Sequence, residues 1–200
     1  MNHDDRETII RILSNAFDQN PRIRTMVKSK NSAHHIRTMT EYALQLIEKF
    51  DGVYFSEDRT TVLLYYRKSQ YRLGLPDKLR YLRMVLRTVR PSQFLPTRRR
   101  ERIIEGLRPD YDDYIYVWVL GSDPDQRGIR GLADIRDHLF GLSEQLQLPI
   151  LIETTLEKLL KLYRYVGFEV YKQWRDEEAG LDIWLLERGL KPAENQSAQA

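Results

Sequence analysis

The chain has 200 residues, of which 42% are hydrophobic and 30% are charged, and its formal net charge is +3. This composition is typical of a folded globular protein and excludes a disordered, collagen-like or membrane-embedded chain. Cysteine is absent, which excludes disulfide bonds, thiolate metal ligands and a cysteine nucleophile. The charged N-terminal segment lacks the apolar core of a signal peptide, so we expect a cytoplasmic protein.

The first part of the chain predicts two helices and a hairpin. Apolar residues recur at helical spacing over about residues 5–18 and 32–50. Two short runs at 53–56 and 61–67 are rich in Val, Tyr, Phe and Thr, and three charged residues separate them. Such a pair of runs with a polar turn between them predicts a β-hairpin.

Further helices are expected between residues 75 and 107. Pro76 stands at a favourable first helical position. The helix that it starts has one apolar face, formed by Leu79, Leu82, Leu86 and Val89. Pro91 and Pro96 are expected to interrupt the chain, and Thr97 is expected to cap a short basic helix that ends at Leu107.

The second part of the chain predicts an α/β arrangement. Strand patterns occur at 114–120, 150–153, 168–174 and 181–187. The first two are continuous apolar runs, which are typical of strands buried on both faces. Helical patterns follow these two strands, at about 129–146 and 156–166. The resulting order β-α-β-α-β-β predicts a mixed sheet.

Positive charge is concentrated in one region, because thirteen basic and three acidic residues lie between Arg67 and Arg108. Such a local excess of positive charge attracts anions. Three interpretations stay open here: a solvated helix face, a site for a phosphate-bearing small ligand, and a nucleic-acid surface. We expect a single domain over residues 1–190, with a basic helical insert at about 69–108. Residues 191–200 are expected to form a disordered tail.

Four motifs in the second part follow one another in a specific order. They are LGSDP at 120–124, QRGIRG at 126–131, PILIETT at 149–155 and YRYVGF at 163–168. This pattern resembles the GNAT superfamily of acyl-CoA-dependent N-acyltransferases, and most closely its bacterial members with a helical insert before the central strand. The resemblance covers about residues 32–189. It implies a mixed, mostly antiparallel sheet with a central splayed parallel pair, flanked by helices.

The resemblance also implies that acetyl-CoA or another acyl-CoA is the co-substrate. Its pyrophosphate would bind the backbone amides of the turn, because amides at a helix N-terminus attract anions. Its pantetheine arm would pair with free backbone groups of the strand before the turn, where an amide near Leu120 would also bind the oxyanion. The predicted cofactor-binding residues are Val119, Leu120, Gln126, Arg127, Gly128, Ile129, Arg130 and Gly131.

Catalytic roles follow from the same resemblance. Tyr163 matches the tyrosine that lies near the CoA sulfur in the family, and a phenol is a suitable general acid toward a departing thiolate. The alternative is that Tyr163 only packs in the core. Glu153 ends a strand where a general base often acts through a water molecule, and the alternative is a structural hydrogen-bond acceptor. Asp123 is a weaker candidate for the base. Direct attack by an unidentified amine in a ternary complex is expected.

Two departures from the family pattern motivate other hypotheses. The turn is shorter than in the family, and either Ile129 or Arg130 stands where a glycine is expected. Leu159 replaces an asparagine. The second hypothesis is therefore a catalytically impaired GNAT-fold module that binds a ligand or a partner. The third is association with nucleic acid through the basic residues 67–108.

No metal site is expected from the four histidines. His34 and His35 are adjacent, so they face different sides of a helix, and the other two are isolated. The final pair of strands is rich in Tyr and Trp, which makes it a candidate for a homodimer contact.

Overall fold

A computed structural model of the protein describes residues 3–126 and 129–190. Its helices are α1 (His3–Gln19), α2 (Pro21–Met26), α3 (Ser32–Glu48), α4 (Leu75–Thr88), α5 (Pro91–Gly106), α6 (Ile129–Leu146) and α7 (Glu157–Tyr165). Its strands are β1 (Val53–Phe55), β2 (Thr61–Arg67), β3 (Ile115–Ser122), β4 (Ile150–Thr154), β5 (Glu169–Asp176) and β6 (Leu181–Arg188). The predicted tail lies outside the described residues.

The strands form one six-stranded sheet in the order β1-β2-β3-β4-β6-β5. Only the central pair β3–β4 is parallel, and the other neighbours are antiparallel. A parallel pair needs a crossover, and α6 supplies it between β3 and β4. The mixed sheet with one central parallel pair, predicted from the sequence, is confirmed.

Each face of the sheet has its own apolar core. On one face, α1 and α3 pack with residues such as Leu64 and Tyr116. On the other face, residues of α6 and α7 pack with Val117 and Ile152. Because successive side chains of a strand point to opposite faces, Tyr116 and Val117 of β3 belong to different cores. Side chains from both faces of the sheet therefore lie next to the central strands.

The apolar face predicted for α4 is exposed over most of its length. Leu79, Leu82 and Leu86 are 60%, 42% and 64% exposed, and only Val89, at the end of the helix, is buried. The helix instead packs through Asp77, Val85 and Thr88. A buried carboxylate needs a partner, and Nζ of Lys49, the residue that follows α3, lies 2.6 Å from Asp77. This ion pair and the buried residues beside it set the orientation of α4, and they turn the leucine row outward.

The prediction of a short helix capped by Thr97 is wrong. The helix α5 runs without a break from Pro91 to Gly106, with Pro96 inside it. Pro91 lies in the first turn, where its missing N–H costs no helical hydrogen bond. Pro96 lies one turn further on, where the loss is limited to a single bond near the helix end.

Part of the basic region is structural. Arg67 forms an ion pair of 2.8 Å with Asp113, and Arg100 is buried against Asp176 of β5. Other members, such as Arg83 and Arg98, are exposed to solvent. In the part of the chain that the structure describes, no helix is both long and apolar enough to cross a membrane.

Candidate active site

The two central strands separate partway along their length. Their register pairs Ile115 with Ile150, Tyr116 with Leu151 and Val117 with Ile152. Beyond Val117, β3 continues to Ser122 with no partner in β4, whereas β4 continues along β6. A gap therefore opens in the middle of the sheet, between β3 and β4.

A β-bulge lies at the point where the gap begins. Val117 pairs with Tyr65 and Val119 pairs with Leu64, so Trp118 is an extra residue that has no partner in β2. A bulge bends a strand and increases its local twist. The bend carries the remainder of β3 away from β4, and it leaves Trp118 37% exposed.

The hydrogen-bond alternation of β3 leaves backbone groups free in the gap. The amide of Asp123 donates to the carbonyl of Thr60 over 2.7 Å. In an antiparallel pair, every second residue makes such bonds, so Val119 also directs its N–H and C=O toward β2. Leu120, between them, directs its backbone groups to the opposite side, where β4 has separated. Of the two strand residues predicted to contact the acyl-CoA, Leu120 is the one whose backbone groups have no strand partner among the described residues.

The turn predicted to bind pyrophosphate is described only in part. Gln126 and Arg130 are exposed to solvent on either side of the start of α6. Arg127 and Gly128 lie outside the described residues, as does the side chain of Ile129. The predicted contacts of this turn with a diphosphate stay predictions.

Gly131 has a packing role that the sequence analysis missed. A Cβ atom added at this glycine would lie 2.5 Å from the hydroxyl oxygens of both Thr60 and Thr61. It would also lie 3.0 Å from Asp58 Oδ1, at the turn that joins β1 to β2. Only a residue without a side chain allows α6 to approach the hairpin this closely.

Tyr163 lies in the apolar core on the α6–α7 face of the sheet. It is 7% exposed, and its ring centroid lies 5.9 Å from that of Phe168. The same core contains Val117 and Ile152, the last paired residues before the gap, with Leu159 packed against it. Burial raises the pKa of Tyr163 well above its usual value, so the hydroxyl keeps its proton. No described residue makes a hydrogen bond with this hydroxyl.

Glu153 lies on the opposite face, at the mouth of the gap, and both of its oxygens have partners. Arg22 of α2 donates to Oε1 over 2.7 Å, and the hydroxyl of Tyr116 donates to Oε2 over 2.9 Å. Burial raises the pKa of Tyr116, so its hydroxyl remains a donor. Each carboxylate oxygen has a second lone pair, which leaves room for a water molecule or an amine.

A second carboxylate stands close to Glu153. Glu101 of α5 interacts electrostatically with Arg22 and Glu153, and the Tyr81 hydroxyl donates to its Oε2 over 3.2 Å. Desolvation by neighbouring groups raises the pKa of Glu101, although the residue as a whole is exposed to solvent. A raised pKa is what a general base working near neutral pH requires.

Asp123 is engaged in holding the end of β3. Arg11 of α1 donates to its Oδ2 over 2.6 Å, and the amide of Asp125 donates to its Oδ1 over 3.1 Å. The bond from Arg11 lowers the pKa of Asp123, which makes it a poor base. The weaker of the two bases predicted from the sequence is therefore a structural anchor.

Sequence reasoning missed Arg22, Glu101 and Tyr116 as members of this group. Arg22 is 131 residues away from Glu153 along the chain, and no motif links the two. Tyr116 lies within an apolar run that indicates only a buried strand. Among residues 3–126 and 129–190, no cluster of His, Asp and Glu is arranged to hold a metal ion.

Comparisons with known proteins relate the fold to solved structures. No family's sequence profile matches the chain, and no curated protein matches its sequence. A protein from Corynebacterium glutamicum, described as histone acetyltransferase HPA2 and related acetyltransferase, is 14% identical, with a TM-score of 0.63 and 96% of each chain covered. The C-terminal condensation domain of Ebony, solved with beta-alanyl-dopamine, is 8% identical, with a TM-score of 0.60 and coverage of 95% of this chain and 96% of that chain.

A third similar structure is that of the NatC complex bound to Gag peptide and CoA. It is 12% identical, with a TM-score of 0.54 and coverage of 95% of this chain and 93% of that chain. These similarities extend over nearly the whole chain. The chain has the GNAT fold, as the sequence motifs predicted.

Proposed function

We propose that this protein, with its GNAT fold, is an N-acyltransferase that transfers an acyl group from acetyl-CoA or another acyl-CoA to an amine. The observation that carries the proposal is the gap between β3 and β4 beyond Val117 and Ile152. Leu120 directs its backbone groups into this gap, where they can pair with an extended amide-bearing chain such as pantetheine. A structure of similar fold contains CoA.

The reaction requires a nucleophilic nitrogen, a stabilised oxyanion and a proton for the leaving sulfur. The lone pair of a neutral amine attacks the thioester carbonyl carbon, and the carbonyl electrons move onto its oxygen. The amide of Leu120 donates to this oxyanion. When the C–N bond is complete and the C–S bond breaks, the amine has lost one proton and the thiolate has gained one.

Two carboxylates on one face of the sheet serve the amine, and a phenol on the other face serves the leaving sulfur. Glu153, acting through a water molecule, accepts the proton of the amine, and Glu101 is the alternative acceptor beside it. Tyr163 donates to the sulfur from the other face. Because burial raises the pKa of Tyr163, its hydroxyl stabilises the departing thiolate by a hydrogen bond. The thiolate then takes its proton from solvent, to which Glu153 releases the proton of the amine.

Calorimetry and a thiol assay test this proposal together. Acetyl-CoA titrated into the protein is expected to give a saturable binding heat, and free CoA thiol is expected to accumulate when a suitable amine is added. No saturable binding of acetyl-CoA or of longer acyl-CoA thioesters would contradict the proposal.

One observation favours a second candidate function, an acyl-CoA-binding module without turnover. Tyr163 is 7% exposed in the apolar core beside the gap, and a tyrosine that only packs there would leave the departing thiolate without a donor. Saturable CoA binding without thiol release, across a broad panel of amines, would favour this module over the enzyme.

A further inference from the structure

The guanidinium of Arg108 lies among tyrosines and has no carboxylate partner in the part of the chain that the structure describes. Its central carbon is 3.9 Å from the centroid of the Tyr116 ring. Its Nη1 donates to the hydroxyls of Tyr66 and Tyr114 over 3.4 Å each, which is long for a hydrogen bond. Its Nε is buried and donates to none of the described residues, and no carboxylate of these residues lies within ion-pair distance of it.

The contacts of this cation do not replace all of the solvation that it loses in the folded protein. A ring face and two weak hydroxyl contacts recover only part of the solvation that a partly buried guanidinium loses. Arg22, on the same face of the sheet, is stabilised in the usual way for a buried guanidinium, because it forms an ion pair with Glu153 over 2.7 Å. A buried polar atom without a partner calls for an explanation, such as a water molecule or a ligand group that binds from outside the chain. Arg108 differs from Arg67, whose Nε also lacks a partner, because Arg67 is paired with Asp113.

The position of Arg108 connects it to the proposed reaction site. It stacks on Tyr116, and the hydroxyl of the same tyrosine donates to Glu153 at the mouth of the gap. One tyrosine side chain thus separates the free guanidinium from the carboxylate that would accept the proton of the amine.

We propose that Arg108 binds a carboxylate of the acceptor, and that the acceptors are amino acids. A guanidinium presents its N–H groups in a planar fork, and this fork matches the two oxygens of a carboxylate. The aromatic rings of Tyr66, Tyr114 and Tyr116 supply apolar surface beside the charge. This inference rests on the proposed N-acyltransferase function and specifies its substrate class.

Matched acceptors that differ only in the carboxylate test the inference. The common amino acids are assayed with acetyl-CoA, and each one that reacts is compared with its decarboxylated amine and its primary amide. Tyrosine with tyramine and arginine with agmatine are two such sets. We expect kcat/KM to be roughly tenfold to a hundredfold higher for the carboxylated member of each set, chiefly through KM.

Variants of Arg108 assign this preference to one side chain. Arg108→Met keeps the length of the side chain but removes the charge, and it is expected to abolish the preference by lowering kcat/KM much more for the carboxylated acceptors than for their decarboxylated amines. Arg108→Lys restores the charge without the fork and is expected to restore the preference in part. Arg102→Met is the matched control, since Arg102 is exposed on α5 and its removal changes the net charge equally.

A binding measurement gives a readout that does not depend on turnover. N-acetylated amino acids, the expected products, are titrated into wild type and Arg108→Met and compared with the N-acetylated decarboxylated amines. Tighter binding of the carboxylated products to wild type alone supports the inference. Equal binding within each set, no binding of either member, or a preference that survives in a folded Arg108→Met protein would overturn it. If acetyl-CoA still binds in that case, the proposed function stands without this substrate class.

Discussion

The hydroxyl of Tyr116 donates a 2.9 Å hydrogen bond to Glu153, from the paired part of β3 to the first residue of β4 beyond the pairing. This bond crosses the strands one position before they separate. Arg22 holds the other oxygen of the same carboxylate. The proposed base is therefore fixed at the mouth of the gap by one contact from the sheet and one from α2.

The first prediction concerns the ion pair between Arg22 and Glu153. Both side chains are only 20% exposed, so removing one partner leaves a poorly solvated charge. We expect Glu153→Gln to lower the free energy of unfolding by about 3 kcal/mol. The double variant with Arg22→Met is expected to cost less than the sum of the single variants, by about 1 kcal/mol or more. Urea denaturation measures all four proteins, and strictly additive effects would show that the pair is not coupled.

The second prediction separates a catalytic from a packing role for Tyr163. Tyr163→Phe keeps the ring in the core and removes only the hydroxyl, so stability and acetyl-CoA affinity are expected to change little. The rate constant kcat is expected to fall about a hundredfold, because the leaving sulfur loses its donor. Tyr165→Phe on the same helix is the control, since Tyr165 is 89% exposed. Equal kcat values for the two variants would leave Tyr163 as a core residue only.

The third prediction tests the packing of α6 against the hairpin. In Gly131→Ala the new methyl group meets Thr60 and Thr61, and we expect a loss of about 1–3 kcal/mol in the free energy of unfolding. Gly141, in the same helix, has no atom within 4 Å of an added Cβ. Gly141→Ala is therefore expected to stabilise the protein by about 0.5–1 kcal/mol, because alanine favours a helix. Chemical denaturation checks both values, and a stabilised Gly131→Ala protein would contradict the close approach.

The fourth prediction is a pH dependence at Asp123. Its pKa is lowered in the folded protein by the bond from Arg11, so the stabilising contribution is complete above the unfolded pKa of about 4. The contribution is lost as the pH falls below that value, through the lower folded pKa. Asp123→Asn is expected to cost about 2 kcal/mol at neutral pH. The difference from wild type should shrink as the pH falls below about 4.

Denaturation of wild type and Asp123→Asn across this pH range measures the effect at Asp123. Asp125→Asn, at an exposed neighbouring position, is the control and should stay within about 0.5 kcal/mol of wild type. A stability difference at Asp123 that does not vary with pH would contradict the assigned ion pair.

The sequence predicts best those elements whose burial follows from their own residues. The run at 114–120 is apolar at nearly every position, which requires burial on both faces, and the structure places β3 at the centre of the sheet. The leucine row of α4 shows the limit of such reasoning. Periodicity indicates that a helix is amphipathic, but the ion pair between Asp77 and Lys49 determines which side packs.

The candidate site was less predictable, because its members meet only in the folded chain. The position of Glu153 at the end of a strand follows from the sequence, but its contacts with Arg22 and Tyr116 depend on how α2 and β3 pack around it. Gly131 shows that one residue can have two explanations. The motif predicts a contact with the cofactor, which stays a prediction, and the packing against Thr60 and Thr61 becomes visible only in the folded chain.

Amide hydrogen exchange at Leu120, with and without acetyl-CoA, tests the central claim most directly. The N–H of Leu120 faces the gap, whereas that of Val119 faces β2, so the Leu120 amide should exchange faster in the free protein. Saturating acetyl-CoA is predicted to slow exchange at Leu120 and to leave Val119 unchanged. Unchanged exchange at Leu120, with acetyl-CoA demonstrably bound, would show that the thioester does not enter the gap between β3 and β4.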